Sequence, residues 1–242
     1  MSRQSLVSSS VDDVESMHGF YRDWIGRQEA VLHELQRSAA NPNSDGGDEG
    51  AEARLGELVE RVTEHYNEYY NAKSRVAYDN VFLVFSPTWL TPFERSFLWV
   101  AGFKPGLAFQ IVDKFVTDLS EEQRGRIEEV REMTKEEEKA LADELARIQE
   151  TVAAPPVVEL ARRAATAVDG ELINLEAALG SVRHAMETLV ECADFVRFRT
   201  VMRILSVLKA AQSVRFFTAL IQFQVQIRRW GTQRESSSAA AQ

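Results

Sequence analysis

The sequence predicts an all-α protein, a multi-helix bundle with a long charged helical hairpin. Three observations carry that prediction. Apolar residues recur every three to four positions through each long segment, the period of one helix face. Ser, Thr and Asp stand where helices would begin, several with Glu or Gln three residues on. No alternating, β-branched run of useful length occurs anywhere in the 242 residues.

Residues 1–11 are Ser-rich and lack an apolar stretch, so they are expected to be disordered and are no secretory signal. Asp12 or Asp13 is positioned to cap a first helix whose apolar face carries Phe20, Trp24, Val31 and Leu35. That helix should end in the polar, Gly-containing stretch around Asn41–Asp48, part of an expected flexible loop over 41–53. A second helix carries Leu55, Leu58, Val62, Tyr66, Tyr69 and Val76 on one side. After it comes the densest punctuation in the chain, Ser86 to Pro105. Thr91 can cap a short buried helix with Pro92 at its first position, and Glu94 can close a capping box. Gly102 is expected to supply a positive φ that ends this helix after Trp99, and Pro105 to open the next one, to about Val116.

Ser120, with Gln123 three positions on, caps a long charged helix with Ile127, Val130, Met133, Leu141, Leu145, Ile148 and Val152 along a narrow stripe. An intramolecular hairpin is the expected use of that stripe. Pro155-Pro156 should end it, a helix from Pro156 to about Ala167 follows, and Asp169-Gly170 breaks the chain before two or three further helices. The last of these holds Phe216, Phe217, Leu220, Ile221, Phe223, Val225 and Ile227, expected core with a dimer face or ligand groove as the alternative. The whole reads as one domain over 12–232, with a disordered tail over 233–242.

Composition narrows the function. A net charge of −9 argues against general affinity for nucleic acid or anionic membrane. The lone Cys192 rules out an internal disulfide framework and fits a small core or boundary residue. The most apolar window, Val214–Ile227, is interrupted by Arg215, Thr218 and three Gln, so no membrane span is expected. His18, His33, His65 and His184 are scattered, His65 reading as a satisfied, partly buried histidine. No phosphate-cradling glycine loop, metal-ligand spacing or nucleophile elbow occurs. Acids outnumber bases about two to one between Asp118 and Glu150, whereas from Phe195 on the chain is basic. Pairing of those two segments within the bundle is the first reading. The second is a partner-binding face using Arg197, Arg199 and Arg203, with Trp24 as a further candidate.

Trp89, Thr91-Pro92, Glu94, Trp99, Gly102 and Pro105 resemble the signature of the DOG1 domain, shared by plant seed-dormancy DOG1-like proteins and the TGA class of bZIP transcription factors. Tyr66 to Lys73 resembles that family's Y-x-x-Y-x-x-K segment, and Ala193-Asp194 through Leu205 its A-D-x-L-R region, with Thr200 in place. Trp230-Gly231-Thr232 is similar to the end of the dormancy-type members. The resemblance implies a non-enzymatic regulator acting through protein–protein contacts in seed dormancy and abscisic-acid signalling, in nucleus or cytoplasm. Clade A type 2C protein phosphatases are the partners it implies, with bZIP factors and a homodimer as further expectations. The alternative is a TGA-like transcriptional regulator or co-regulator. Direct DNA contact is not expected, because the first fifty residues hold only Arg3, Arg22, Arg27 and Arg37 as basic residues. Some dormancy-type members carry a His-x-x-x-His pair implicated in haem binding. Gln224 and Arg228 stand there in this chain, so no haem and no other cofactor is expected.

Overall fold

Seven helices make up the described part of the chain, with no strand among the described residues. The structure, a computed structural model, describes residues 3–40, 48–153 and 169–240. They are α1 (Arg3–Ala40), α2 (Asp48–Phe85), α3 (Pro92–Arg95), α4 (Leu107–Phe115), α5 (Glu121–Ala153), α6 (Asp169–Val207) and α7 (Ala210–Ala240). The expected all-α bundle is what the chain forms. Residues 41–47, Pro155-Pro156 and the expected helix from Pro156 to Ala167 lie outside the described residues.

The flexible loop expected over 41–53 is corrected by α2, which is already helical from Asp48, and the helix boundaries depart from expectation at four further places, each with a local cause. α1 begins at Arg3 and runs through Asp12 and Asp13, since no Gly or Pro before Gly19 stops it. α7 likewise continues past Thr232 to Ala240 through a Ser- and Ala-rich stretch. α2 bends at Asn80, whose backbone is extended (φ −153°, ψ 95°) while its side-chain Oδ1 accepts from the Phe82 amide at 3.2 Å. The asparagine thus acts as an internal cap that restarts the helix at a new angle. The fourth departure is α3, which stops after four residues. Beyond it Trp99 and Gly102 exchange backbone hydrogen bonds (2.6 and 3.2 Å) around a tight turn.

That turn corrects the reading of Gly102. The left-handed residues are Val100 (φ 44°) and Ala101 (φ 59°), not the glycine. Gly102 is required by close approach instead. A Cβ there would lie 2.7 Å from the Arg197 guanidinium carbon. Trp99, expected to be buried, is half-exposed, whereas Trp89 is 3% exposed.

Three apolar clusters hold the helices together. The largest joins Leu35, Val62, Phe109, Val112 and Ile127 to the α7 residues Phe216, Phe217, Ile221 and Val225, so the apolar last helix is core. A second packs Met17, Tyr21 and Trp24 against Val81, Val84 and Trp89. In the third, the α5 stripe (Leu141, Ile148) meets Val182, Leu189, Ala193 and Val196 of α6. The charged helix therefore packs intramolecularly along α6, and Arg199 and Arg203 of α6 both reach Glu137 of α5. Cys192 does not sit in core or at its edge. It faces solvent on α6.

Candidate functional site

Three hubs and a cavity occupy the middle of the bundle, and the signature residues supply most of them. The first hub is Glu94. The Thr91 amide donates to Glu94 Oε2 at 2.7 Å and the Glu94 amide to Thr91 Oγ1 at 3.2 Å, the reciprocal capping box that the spacing predicts. The same carboxylate accepts from Tyr21 Oη of α1 at 3.1 Å and from Arg228 of α7 at 2.8 Å. Arg228 also donates to the Trp89 carbonyl at 3.2 Å. One buried acid thus ties α1, α3 and α7 together. α7 comes so near that a Cβ on Gly231 would lie 2.8 Å from Thr91 Cβ and closer still to its Oγ1.

The second hub is Arg197, 5% exposed on α6. Its guanidinium donates to the carbonyls of Trp99, Val100 (2.8 Å) and Phe103 (2.7 Å) and to Asp194 Oδ1 at 2.7 Å. These bonds lock the left-handed turn. Asp194 accepts from Lys73 Nζ of α2 as well, at 2.8 and 2.9 Å. Lys73 is 1% exposed, and burial lowers its pKa from 10.5 to about 8 against the pull of Asp194. In the third hub, Glu138 of α5 accepts from the Gly106 amide at 2.6 Å at the start of α4, with Lys104 at 3.4 Å. Pro105 is buried just ahead of that start.

The cavity lies between the first two hubs. It has a volume of about 140 Å³, and its wall includes Trp24, Tyr66, Tyr69, Lys73, Arg197 and Phe217. Trp24 is 4% exposed, stacks flat on His65 (ring centroids 4.6 Å apart) and donates its indole N–H to the His65 carbonyl at 2.8 Å. Burial, helped by the Arg27 charge, pulls the His65 pKa down to about 4. Burial also pushes Tyr69 up to about 12 and raises Tyr66 and Tyr70. At neutral pH the tyrosines and His65 beside the cavity are therefore uncharged, and the charges on its wall are those of Lys73, Arg197, Glu94 and Lys104.

Of the partner-binding candidates, Trp24 and Arg197 are corrected by this geometry. Both are interior residues whose polar atoms are spent within the chain. Arg199 and Arg203 are half-buried and share Glu137. Gln224 Oε1 accepts from Gln28 and from the Tyr66 hydroxyl, each at 2.6 Å, and Arg228 is held by Glu94. Neither position offers an imidazole, so these residues do not fit a haem axial pair. Among the described residues no group of three or more His, Cys, Asp or Glu is placed to hold a metal, and no helix is long and apolar enough to cross a membrane.

Sequence reasoning missed the convergence itself. Lys73, Asp194, Tyr21 and Gln28 were not candidates. A signal existed for Lys73, which follows Tyr66 and Tyr69 at helical spacing on a face otherwise apolar.

The signature residues thus serve as caps and internal bridges of a helical bundle, and the chain has relatives that share this length of sequence. Residues 31–114 match the family model described as DOG1, seed dormancy control. The chain is 35% identical over 218 residues to Protein DOG1-like 4 of Arabidopsis thaliana, a match covering 89% of this chain and 91% of that protein. It is 33% identical over 176 residues to Protein RESPONSE TO ABA AND SALT 1 of the same plant, covering 71% of this chain and 76% of the relative. Transcription factor TGA2.3 of Oryza sativa subsp. japonica is 28% identical over 232 residues, covering 92% of this chain and 68% of the factor. The chain belongs to the DOG1-like family.

Proposed function

We propose that this protein is a non-enzymatic regulator that works by binding other proteins in dormancy or abscisic-acid signalling. One observation carries the reading. The signature's ionisable residues, Glu94 with its partner Arg228 and Arg197 with Asp194 and Lys73, are engaged in caps and bridges that build the scaffold. Function is then left to the surface. One candidate patch is the α6 face where Phe195 (59% exposed), Arg199 and Met202 (40% exposed) recur at helical spacing, with Arg199 over the Phe195 ring at 4.7 Å. Clade A type 2C phosphatases are the partner class proposed for it, with nucleus and cytoplasm as the sites of action.

The similarity to TGA2.3 along most of the chain favours a second reading, transcriptional co-regulation through association with bZIP factors. Affinity purification of the tagged protein from plant tissue, followed by mass spectrometry, separates the two. Recovery of type 2C phosphatases supports the signalling reading. Recovery of bZIP factors without any phosphatase overturns it in favour of the second. In a gel shift on a TGACG-containing duplex at physiological salt, both readings predict no specific shift by the protein alone.

A further inference from the structure

We propose that the central cavity is a binding site for a compact ring-bearing monocarboxylate, one carrying a hydroxyl on the ring. This goes beyond the regulatory reading and holds whichever partner the surface takes. Size sets the first limit. A cavity of about 140 Å³ is close to the size of engineered apolar cavities that accept benzene, so it suits a single ring. The aromatic wall of Tyr66, Tyr69, Phe198 and Phe217 gives such a ring faces and edges to pack on.

Charge sets the second limit. Lys73 and Arg197 both line the cavity and share one counter-ion, Asp194. Glu94, also on the wall, is balanced by Arg228, and Lys104 by Glu138. The local sum is one uncompensated positive charge beside an apolar space, which is costly until an anion joins it. Lys73 has a donor to offer, since two of its three N–H groups go to Asp194. Hydrogen bonding sets the third. Gln28 lines the same cavity, is 0% exposed, and its Oε1 is buried without a partner while Nε2 serves Tyr66 and Gln224. A ring hydroxyl would donate to it. One wall is preset. Ala101 to Pro105 and Leu107 line one side of the cavity, and the left-handed turn that begins this segment is held by Arg197.

Calorimetry and ligand-observed NMR on the full chain test this with a charge series: benzoate and its hydroxylated derivatives, benzamide, and benzylamine. Ligands of about ten heavy atoms should bind at millimolar Kd or tighter. Benzoate should bind roughly tenfold or more tighter than benzamide, hydroxybenzoates tighter than benzoate, and benzylamine least. Val201→Phe, which fills the cavity and leaves every charge in place, should abolish binding with the circular dichroism spectrum unchanged. Lys73→Met, where it folds, should bring benzoate down to the level of benzamide. Equal affinity for benzoate and benzamide overturns the charge argument. No saturable binding of any ring by the wild type, or binding that survives Val201→Phe, overturns the site.

Discussion

Gly231→Ala should destabilise this protein even though the position lies inside a helix, where alanine normally adds about 0.5–1 kcal/mol relative to glycine. The reason is the approach of α7 to the capping box. The new methyl would sit 2.8 Å from Thr91 Cβ, with Oγ1 nearer still, and Thr91 Cβ is fixed to the backbone. Relief requires α7 to move away, or Thr91 to give up its bond to the Glu94 amide. Overpacking of this kind costs about 1–3 kcal/mol and loss of a cap about 1 more, so a net loss of about 2–3 kcal/mol is expected. Gly125→Ala is the control. It is an exposed α5 position with nothing within 4 Å of the added Cβ, and it should gain the ordinary helix increment. Urea unfolding followed by circular dichroism reads both. Adding Thr91→Gly to the Gly231 variant should recover part of the loss, a coupling the double-mutant cycle isolates. If both alanine variants gain stability alike, the close approach is wrong.

Four further outcomes follow from the hubs. His65 titrates near pH 4 when folded and near 6.5 when unfolded, so its contribution is complete above pH 6.5 and is lost as pH falls through about 4. It amounts to about 3 kcal/mol at most, and His65→Phe should flatten this acid limb of a stability–pH curve. Lys73, depressed to about 8, makes stability rise as pH climbs from about 8 towards 10.5, because only the unfolded chain still holds that proton; Lys73→Met should remove the rise. Arg197→Lys should cost about 2–4 kcal/mol in urea unfolding, since an ammonium cannot serve four acceptors arranged for a planar fork. Trp89→Ala should cost about 3–5 kcal/mol and half-exposed Trp99→Ala clearly less, and equal losses would mean the turn at 99–102 is misplaced.

The legible parts of the fold were those whose cause is local. Thr91 and Glu94 cap each other across three residues, and Ser120 and Gln123 do the same (3.0 and 3.1 Å), so spacing alone revealed both. The apolar periods of α2, α5 and α7 pointed to buried faces for the same reason. What escaped is decided by neighbours distant in sequence. Gly102 looks like a helix terminator until Arg197, some 95 positions later, is seen lying against it. Arg197 looks like a surface charge until the turn carbonyls and Asp194 surround it. Trp24 reads as an anchor for a partner, and its anchor point is the His65 carbonyl on the adjacent helix. No spacing rule within one helix contains that information.

The contact between Thr91 and Gly231 also orders events at the ribosome. α7 supplies Phe216, Phe217, Ile221 and Val225 to the largest apolar cluster and Arg228 to Glu94, so each is missing until α7 (Ala210–Ala240) is made. The growing chain emerges with α1, α2 and α4 exposing the apolar faces that α7 covers, surface that is prone to aggregation until α7 is made. A premature stop codon anywhere before position 231 should therefore yield a chain prone to degradation rather than a smaller working protein.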